Sequence, residues 1–368
     1  MTGYSYKYGK KLRKGFTTGT TAAAAAKAAV CALLADKAPQ SVDVTLPIGE
    51  EYRLNIDETI LSGDSATCYV KVDGGDDRNV LDGCRVYATA RRSKEFEITA
   101  GEGIGTVTKK GLQVEAGKPA INPVPMKMIE KAIKEESGGQ CVSVEISVEN
   151  GAELAKRTLN EKLGIVGGIS IIGTTGIVEP MSNRGYIDSM MTEIDMMLLD
   201  IKNIVIVSGN YGYDYAKNIL KIDEKKIVKV SNFIGDALFY LKNKNVDNIL
   251  ILGHLGKFVK LAGGNFNTHS YVSDAKMEII ASGVIKEYKD LDMALKILEC
   301  NTTDEACELL EGSDMLGVFD YLCEKSLEKI RGVIKLNDIS ASIAYFNTEK
   351  KMVGKSRNFD GMAGVINA

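Results

Sequence analysis

The chain has 368 residues, 45% of them hydrophobic and 26% charged, with 46 basic against 49 acidic side chains and a net charge of −3. That length exceeds what one core usually serves, so two domains are expected, and the balance of charge excludes a general nucleic-acid binder. Seven scattered cysteines with no C-x-x-C, and only two histidines, exclude a disulfide framework and leave no dedicated protein metal site expected.

The first acidic residue is Asp36, and before it stand Lys7, Lys10, Lys11, Arg13, Lys14 and Lys27. An acid-free start leading into alanines resembles a targeting signal. Lys27 interrupts the apolar run, however, and only one arginine is present, so the segment is read as part of the folded protein. No run of 18 or more apolar residues occurs, so no membrane span is expected, and the thiols suit a cytoplasmic setting.

A helix is expected over 20–35, where threonines offer caps and alanine is the strongest helix former. Alternating segments at 42–46, 52–56, 66–72, 85–90 and 96–99, split by Gly-Asp and Gly-Gly turns, read as antiparallel strands. Asn122-Pro123 opens a second helix that stops at Gly138-Gly139. A strand at 142–148 and a helix at 152–163 follow. Residues 163–182 read as a buried strand, rich in Ile and Val, that delivers a tight Gly-Thr-Thr-Gly loop and then Glu179-Pro180. Helical spacing recurs at 187–199.

The rhythm then changes. Apolar runs at 204–207, 227–230 and 249–252 alternate with helical stretches, the signature of a parallel sheet with right-handed crossovers. A hairpin around Thr348-Glu349 closes the chain. The expected fold is therefore α/β overall. A mostly antiparallel α+β domain would occupy 1–200, and a Rossmann-like parallel α/β domain 201–368.

In such sheets ligands bind outside the carboxyl ends of the strands. One loaded tip is Gly209-Asn210-Tyr211-Gly212-Tyr213-Asp214, whose glycines let a ligand approach the backbone. It lacks the full G-x-G-x-x-G pattern, so it supports dinucleotide binding only weakly, and Asp214 also reads as a helix cap. The second tip, Gly253-His254-Leu255-Gly256, sets a histidine between glycines at a strand end. His269 lies within the same glycine-rich segment. The central loop has P-loop glycine spacing, but Thr174 stands where the lysine belongs, which disfavours nucleotide hydrolysis. Glu179 reads equally as a general base or a structural ion pair. Arg13, Lys14, Thr17, Thr18, Gly19, Thr20 and Lys27 gather cations and hydroxyls at a helix start, a cluster suited to carboxylates, or else a well-capped helix with a solvated lead-in.

Four stretches together resemble one family. They are RKGFTTGTTAAAAAK at 13–27, LNEKLGIVGGISIIGTTGIVEPMS at 159–182, SGNYGYD at 208–214 and GHLGKFVKLAGGNFNTHSYVSD at 253–274. The set is similar to the cobalt-precorrin-5B C(1)-methyltransferases of anaerobic cobalamin biosynthesis, with Thr21 where the family often has cysteine. The resemblance implies a cytoplasmic enzyme that uses S-adenosylmethionine to methylate C-1 of a cobalt-carrying corrin precursor, giving cobalt-precorrin-6A. The cobalt then belongs to the substrate, and methyl transfer needs alignment and desolvation more than a protein metal.

On that reading the basic start, with Thr174 and Thr175, meets the carboxylate-rich macrocycle. Gly209, Asn210, Tyr211, Gly212, Gly253, Gly256 and Asn232 hold the methyl donor, and His254, Glu179 and Asp214, in that order, are the candidate bases. The usual acidic residue at the second strand tip is missing, since Val230-Ser231-Asn232 stands there, so either Asn232 or Asp236 substitutes or the cofactor sits differently from the usual arrangement. Two rivals share features of the pattern: an NAD(P)-dependent oxidoreductase, and a non-catalytic tetrapyrrole-binding protein. Neither a nucleic-acid nor a membrane partner is expected, and a homo-oligomer is left open.

Overall fold

A computed structural model describes residues 3–7, 9–77, 79–336 and 339–368. Its architecture is mixed α/β, and its contacts divide the chain into two compact units, Met1–Asn183 and Arg184–Ala368. The division falls at the start of helix Asn183–Met197, whose Met190 and Ile194 are buried in the core of the second unit.

The first unit is built round helix Thr18–Ala35. Ala22–Ala26, Ala28, Ala29 and Ala32 are all fully buried, and their short side chains let helix Pro123–Ser137 and a sheet pack close on several sides. This helix is long and apolar enough to cross a membrane, but 78% of it lies buried inside the protein. The sheet has five strands, in the order Glu58–Ser62, Ser65–Lys71, Arg85–Arg92, Val142–Val148 and Glu97–Ala100. All its pairings are antiparallel except the last. A separate hairpin pairs Ser41–Thr45 with Glu51–Asn55.

Two expectations need correction here. The helix expected over 152–163 is only Gly151–Ala155. Thr158 Oγ1 donates to Ala155 O at 2.8 Å and accepts from Asn160 N at 3.2 Å, so a side chain takes over the backbone pairing that would have extended it. The central stretch is likewise no continuous sheet strand. Ile165–Val166 pairs with Thr106–Val107, Ile169 and Ile171 form isolated bridges to Ile104 and Ile121, and Ile177–Val178 pairs with Gly15–Phe16. The break comes at Gly167-Gly168, where a Cβ on Gly168 would sit 2.3 Å from Gly103 O. Ile169 and Ile171 still enter the core, fully buried.

The second unit carries a sheet ordered Ile227–Lys229, Asn203–Val207, Asn248–His254, Ser340–Phe346 and Met352–Lys355. The first four run parallel, and the last forms the expected hairpin, antiparallel. Its apolar runs are buried on both faces. Ile204, Ile206, Ile249 and Ile251 enter one core, and Val205, Val207, Leu250 and Leu252 the other.

Candidate active site

Thr17 caps helix Thr18–Ala35, its Oγ1 accepting from Thr20 N at 3.3 Å. The other hydroxyls turn to the central loop or the helix itself. Thr18 Oγ1 accepts from Ile172 N at 3.0 Å and donates to Ile172 O at 3.3 Å. Thr20 Oγ1 donates to Gly176 O at 2.8 Å, and Thr21 Oγ1 to Thr17 O at 3.0 Å. Thr17 N and Gly19 N donate to Gly176 O and Ile172 O at 3.1 and 3.0 Å. Thr17, Thr18, Gly19 and Thr20 thus weld the helix start to the 172–176 loop. Thr174 and Thr175 stay exposed at the loop, with Thr175 Oγ1 donating back to Ile177 O at 3.1 Å.

The cations of this segment are paired. Arg13 meets Asp73 through two bonds of 2.5 and 2.7 Å, which hold the Asp73 carboxyl below its usual range. Lys27 lies 2.9 Å from Glu135 and also donates to Asp43 O at 2.8 Å. Lys14 lies 2.8 Å from Glu179 and lowers that carboxyl's pKa, outweighing the effect of burial. Glu179 is thus held in an ion pair with Lys14 at the edge of the central loop.

In the second unit the chain passes from strand Asn203–Val207 to Ile227–Lys229 on one side and then to Asn248–His254 on the other. The carboxyl ends of the first and third of these diverge at a switch point, where open α/β sheets bind ligands. The arrangement brings Tyr211 beside His254, with ring centres 6.5 Å apart. Lys229 Nζ donates to Asn210 Oδ1, and Lys257 Nζ to Asn232 Oδ1, both at 3.0 Å. Of the expected glycines only Gly209 has open space beside its Cα. A Cβ on Gly212 would meet Val207 at 3.0 Å, one on Gly253 would strike the Phe258 ring at 2.2 Å, and one on Gly256 would lie 3.1 Å from Thr303 Oγ1. A side chain at Gly212, Gly253 or Gly256 would therefore crowd its neighbours.

His254 is hydrogen-bonded through both ring nitrogens. Its Nδ1 accepts from Gly256 N at 3.1 Å and caps helix Leu255–Phe258. Its Nε2 lies 3.1 Å from Thr348 Oγ1, which donates to Asp304 Oδ2 at 2.7 Å. Both ring nitrogens are engaged within the chain. Burial pushes the His254 pKa down, Asp304 opposes that and Lys257 adds to it, so the ring is neutral at pH 7. Asp214 stands at the rim, 3.5 Å from Lys350 Nζ. Among the described residues no group of three His, Cys, Asp or Glu side chains is placed to hold a metal ion.

Sequence reasoning missed Thr348, Asp304, Lys257 and Lys260. Asp304 reads as an ordinary acidic first turn of helix Thr303–Gly312 and Thr348 as a hairpin turn, so only the tertiary fold joins them to His254.

Residues 5–180 match the family described as CbiD, and residues 267–357 its C-terminal domain. A cobalt-precorrin-5B C(1)-methyltransferase of Alkaliphilus metalliredigens is 43% identical over 351 residues, 93% of either chain. This chain belongs to the CbiD family. A relative of the same name from Methanocaldococcus jannaschii is 41% identical over 331 residues, covering 88% of this chain and 91% of its own. A crystal structure of the cobalamin biosynthesis protein (cbiD) from Archaeoglobus fulgidus is 27% identical, covers 74% of this chain and 87% of its own, and has a TM-score of 0.42. The two family matches of this CbiD chain include the Thr17–Thr20 weld and Glu179 in the first, and Asp304 and Thr348 in the second.

Proposed function

We propose that this chain, as a cytoplasmic enzyme, transfers a methyl group from S-adenosylmethionine to C-1 of cobalt-precorrin-5B, giving cobalt-precorrin-6A in anaerobic cobalamin biosynthesis. The observation that carries the reading is 43% identity over 93% of the chain to a relative bearing that activity as its name. Seven free cysteines suit a reducing compartment.

S-adenosylmethionine supplies the electrophilic methyl group when bound. The chain then has to bind and align two molecules and keep water from between them. We read the second unit as Rossmann-like and as the S-adenosylmethionine-binding part. Gly209 offers its open backbone there, Tyr211 a ring that is 56% exposed, and Asn210 and Asn232 their amides. The Lys257–Asn232 bond puts a half-buried ammonium at the tip lacking the usual acid, which suits the donor's carboxylate. We read the first unit as the macrocycle-binding part, its cations answering the substrate's acetate and propionate arms once their present carboxylate partners are exchanged. Asp214, at the end of helix Asn210–Asp214, is one carboxylate placed here to move a proton.

The test is an anaerobic assay with purified protein, cobalt-precorrin-5B and labelled S-adenosylmethionine. Label in the macrocycle is expected, and its absence under conditions where another methyltransferase of the pathway works overturns the reading. Calorimetry is expected to register S-adenosylhomocysteine and not NAD(P). The reverse would point to an oxidoreductase.

A further inference from the structure

The first unit holds a cavity of about 340 Å³, at the lower end of the volumes that small-molecule sites occupy. Its floor is apolar, since Phe16, Leu54 and Val70 are each at most 9% exposed. Three cations line it, Arg13, Arg53 and Lys71, against two carboxylates, Asp57 and Asp73. The wall beside Arg13 comes from the hairpin of Tyr4–Lys7 with Lys10–Arg13, which pairs Tyr4 with Arg13 and sets Lys11 Nζ 4.0 Å from the centre of the Tyr4 ring.

The cations are paired but not exhausted. Arg13 uses Nη1 and Nη2 on Asp73, and Arg53 uses Nε and Nη2 on Asp43. A guanidinium carries five N–H donors, so each arginine keeps donors for a second acceptor. Lys71 lies 3.5 Å from Asp57, too far for a strong hydrogen bond. The cation side chains are 44%, 69% and 50% exposed, and pairs so exposed contribute little to the fold. An incoming carboxylate can therefore share or replace an aspartate at small cost. Planar, bidentate donors round an apolar floor match a flat hydrophobic body with carboxylate arms, and match a bare inorganic anion poorly.

We propose that this cavity, with Arg53 and Lys71 at its rim, binds one carboxylate-bearing edge of the macrocyclic substrate. The proposal rests on the methyltransferase reading and deepens it, giving specificity for the acidic periphery of the ring to two residues that no motif marked.

Full-length protein is titrated with uroporphyrin, a tetrapyrrole carrying eight carboxylates, and followed by the absorbance of the porphyrin itself. Arg53→Gln is expected to raise Kd about tenfold, the loss of one charge-assisted hydrogen bond. The Arg53→Gln/Lys71→Gln double variant is expected to raise it further. Lys134→Gln, which removes an exposed charge elsewhere in the unit, is expected to leave it unchanged, and the porphyrin octamethyl ester to bind far more weakly to the wild type. Unchanged thermal melting of the variants keeps the comparison fair. Wild-type uroporphyrin affinity in the double variant overturns the proposal. Methylation assayed alongside separates the two readings. Turnover by the wild type, with variant KM and Kd unchanged, overturns the cavity alone. No turnover, with binding that still depends on Arg53, overturns the methyltransferase reading and leaves the cavity standing.

Discussion

His254 Nε2 and Thr348 Oγ1 meet at 3.1 Å across 94 positions of sequence, and together with the Gly256 amide on Nδ1 they fix which nitrogen carries the proton. A backbone N–H can only donate, so Nδ1 is the acceptor and the proton sits on Nε2. Thr348 then accepts from the ring and donates to Asp304. Nitrogen-resolved NMR at pH 7.5 is expected to find the Nε2–H tautomer at His254. Thr348→Val should keep that tautomer and lower stability by about 0.5–1 kcal/mol, the low end for one hydrogen bond. A ring protonated at Nδ1 would contradict the whole chain of bonds.

The same ring gives a signed pH dependence. Burial lowers the folded-state pKa of His254, so between that value and the unfolded value of about 6.5 the unfolded chain takes up more protons. The ring's contribution to stability is full above about pH 6.5 and is lost as pH falls through the folded value. Lys257→Met should raise the His254 pKa and Asp304→Asn should lower it further. With only two histidines in the chain, an NMR titration follows each separately.

Glu179 is the second candidate base, and its carboxylate is held in an ion pair with Lys14. Lys14 holds the carboxyl below its ordinary range, so the stability it adds is present above the unfolded pKa and fades as pH falls through the folded one. Its side chain is 48% exposed, so that contribution stays below about 1 kcal/mol. Glu179→Gln is expected to leave kcat within about tenfold of the wild type, less than the 10²–10⁴-fold that losing a general base costs. A larger fall, with unchanged melting, would restore it as the base.

Much of this was legible because it is local. The alternating cores of IVIV and ILIL, the alanine helix and the final hairpin each follow from spacing that a short window contains. The weld of Thr18 and Thr20 to residues 172–176 was not legible, although both segments had been singled out. Nothing in either says that the hydroxyls of one satisfy the backbone of the other. Gly253 carries a related ambiguity. A glycine at a strand tip suits a ligand or a neighbouring side chain equally well, and here the neighbour is Phe258.

That glycine makes a sharp test of packing. Gly253→Ala would force a methyl against the buried Phe258 ring at 2.2 Å, and overpacking of this kind costs about 1–3 kcal/mol. Phe258→Leu frees space at the same spot, so the double variant should recover part of the loss in urea denaturation. Strictly additive losses would mean that the two positions do not share the contact.

Lys260 separates the stability of a loop from that of the unit that carries it. Its side chain is 2% exposed, and its ammonium donates to Thr268 O at 2.5 Å and Ser273 O at 3.0 Å, tying down the loop between Gly264 and helix Lys276–Tyr288. Burial lowers its pKa, the mark of a charge held out of water at some cost to the fold. Lys260→Met removes that cost along with the two bonds, so global stability should change little or even rise. The loop should behave oppositely. Tyr271 within it is 74% exposed, and chymotrypsin should cut there at least about tenfold faster in the variant, since each bond from a charged donor contributes roughly 1.5–3 kcal/mol against opening. Equal cleavage rates in variant and wild type would mean that the loop is held by its other contacts, with Lys260 a passenger in the core.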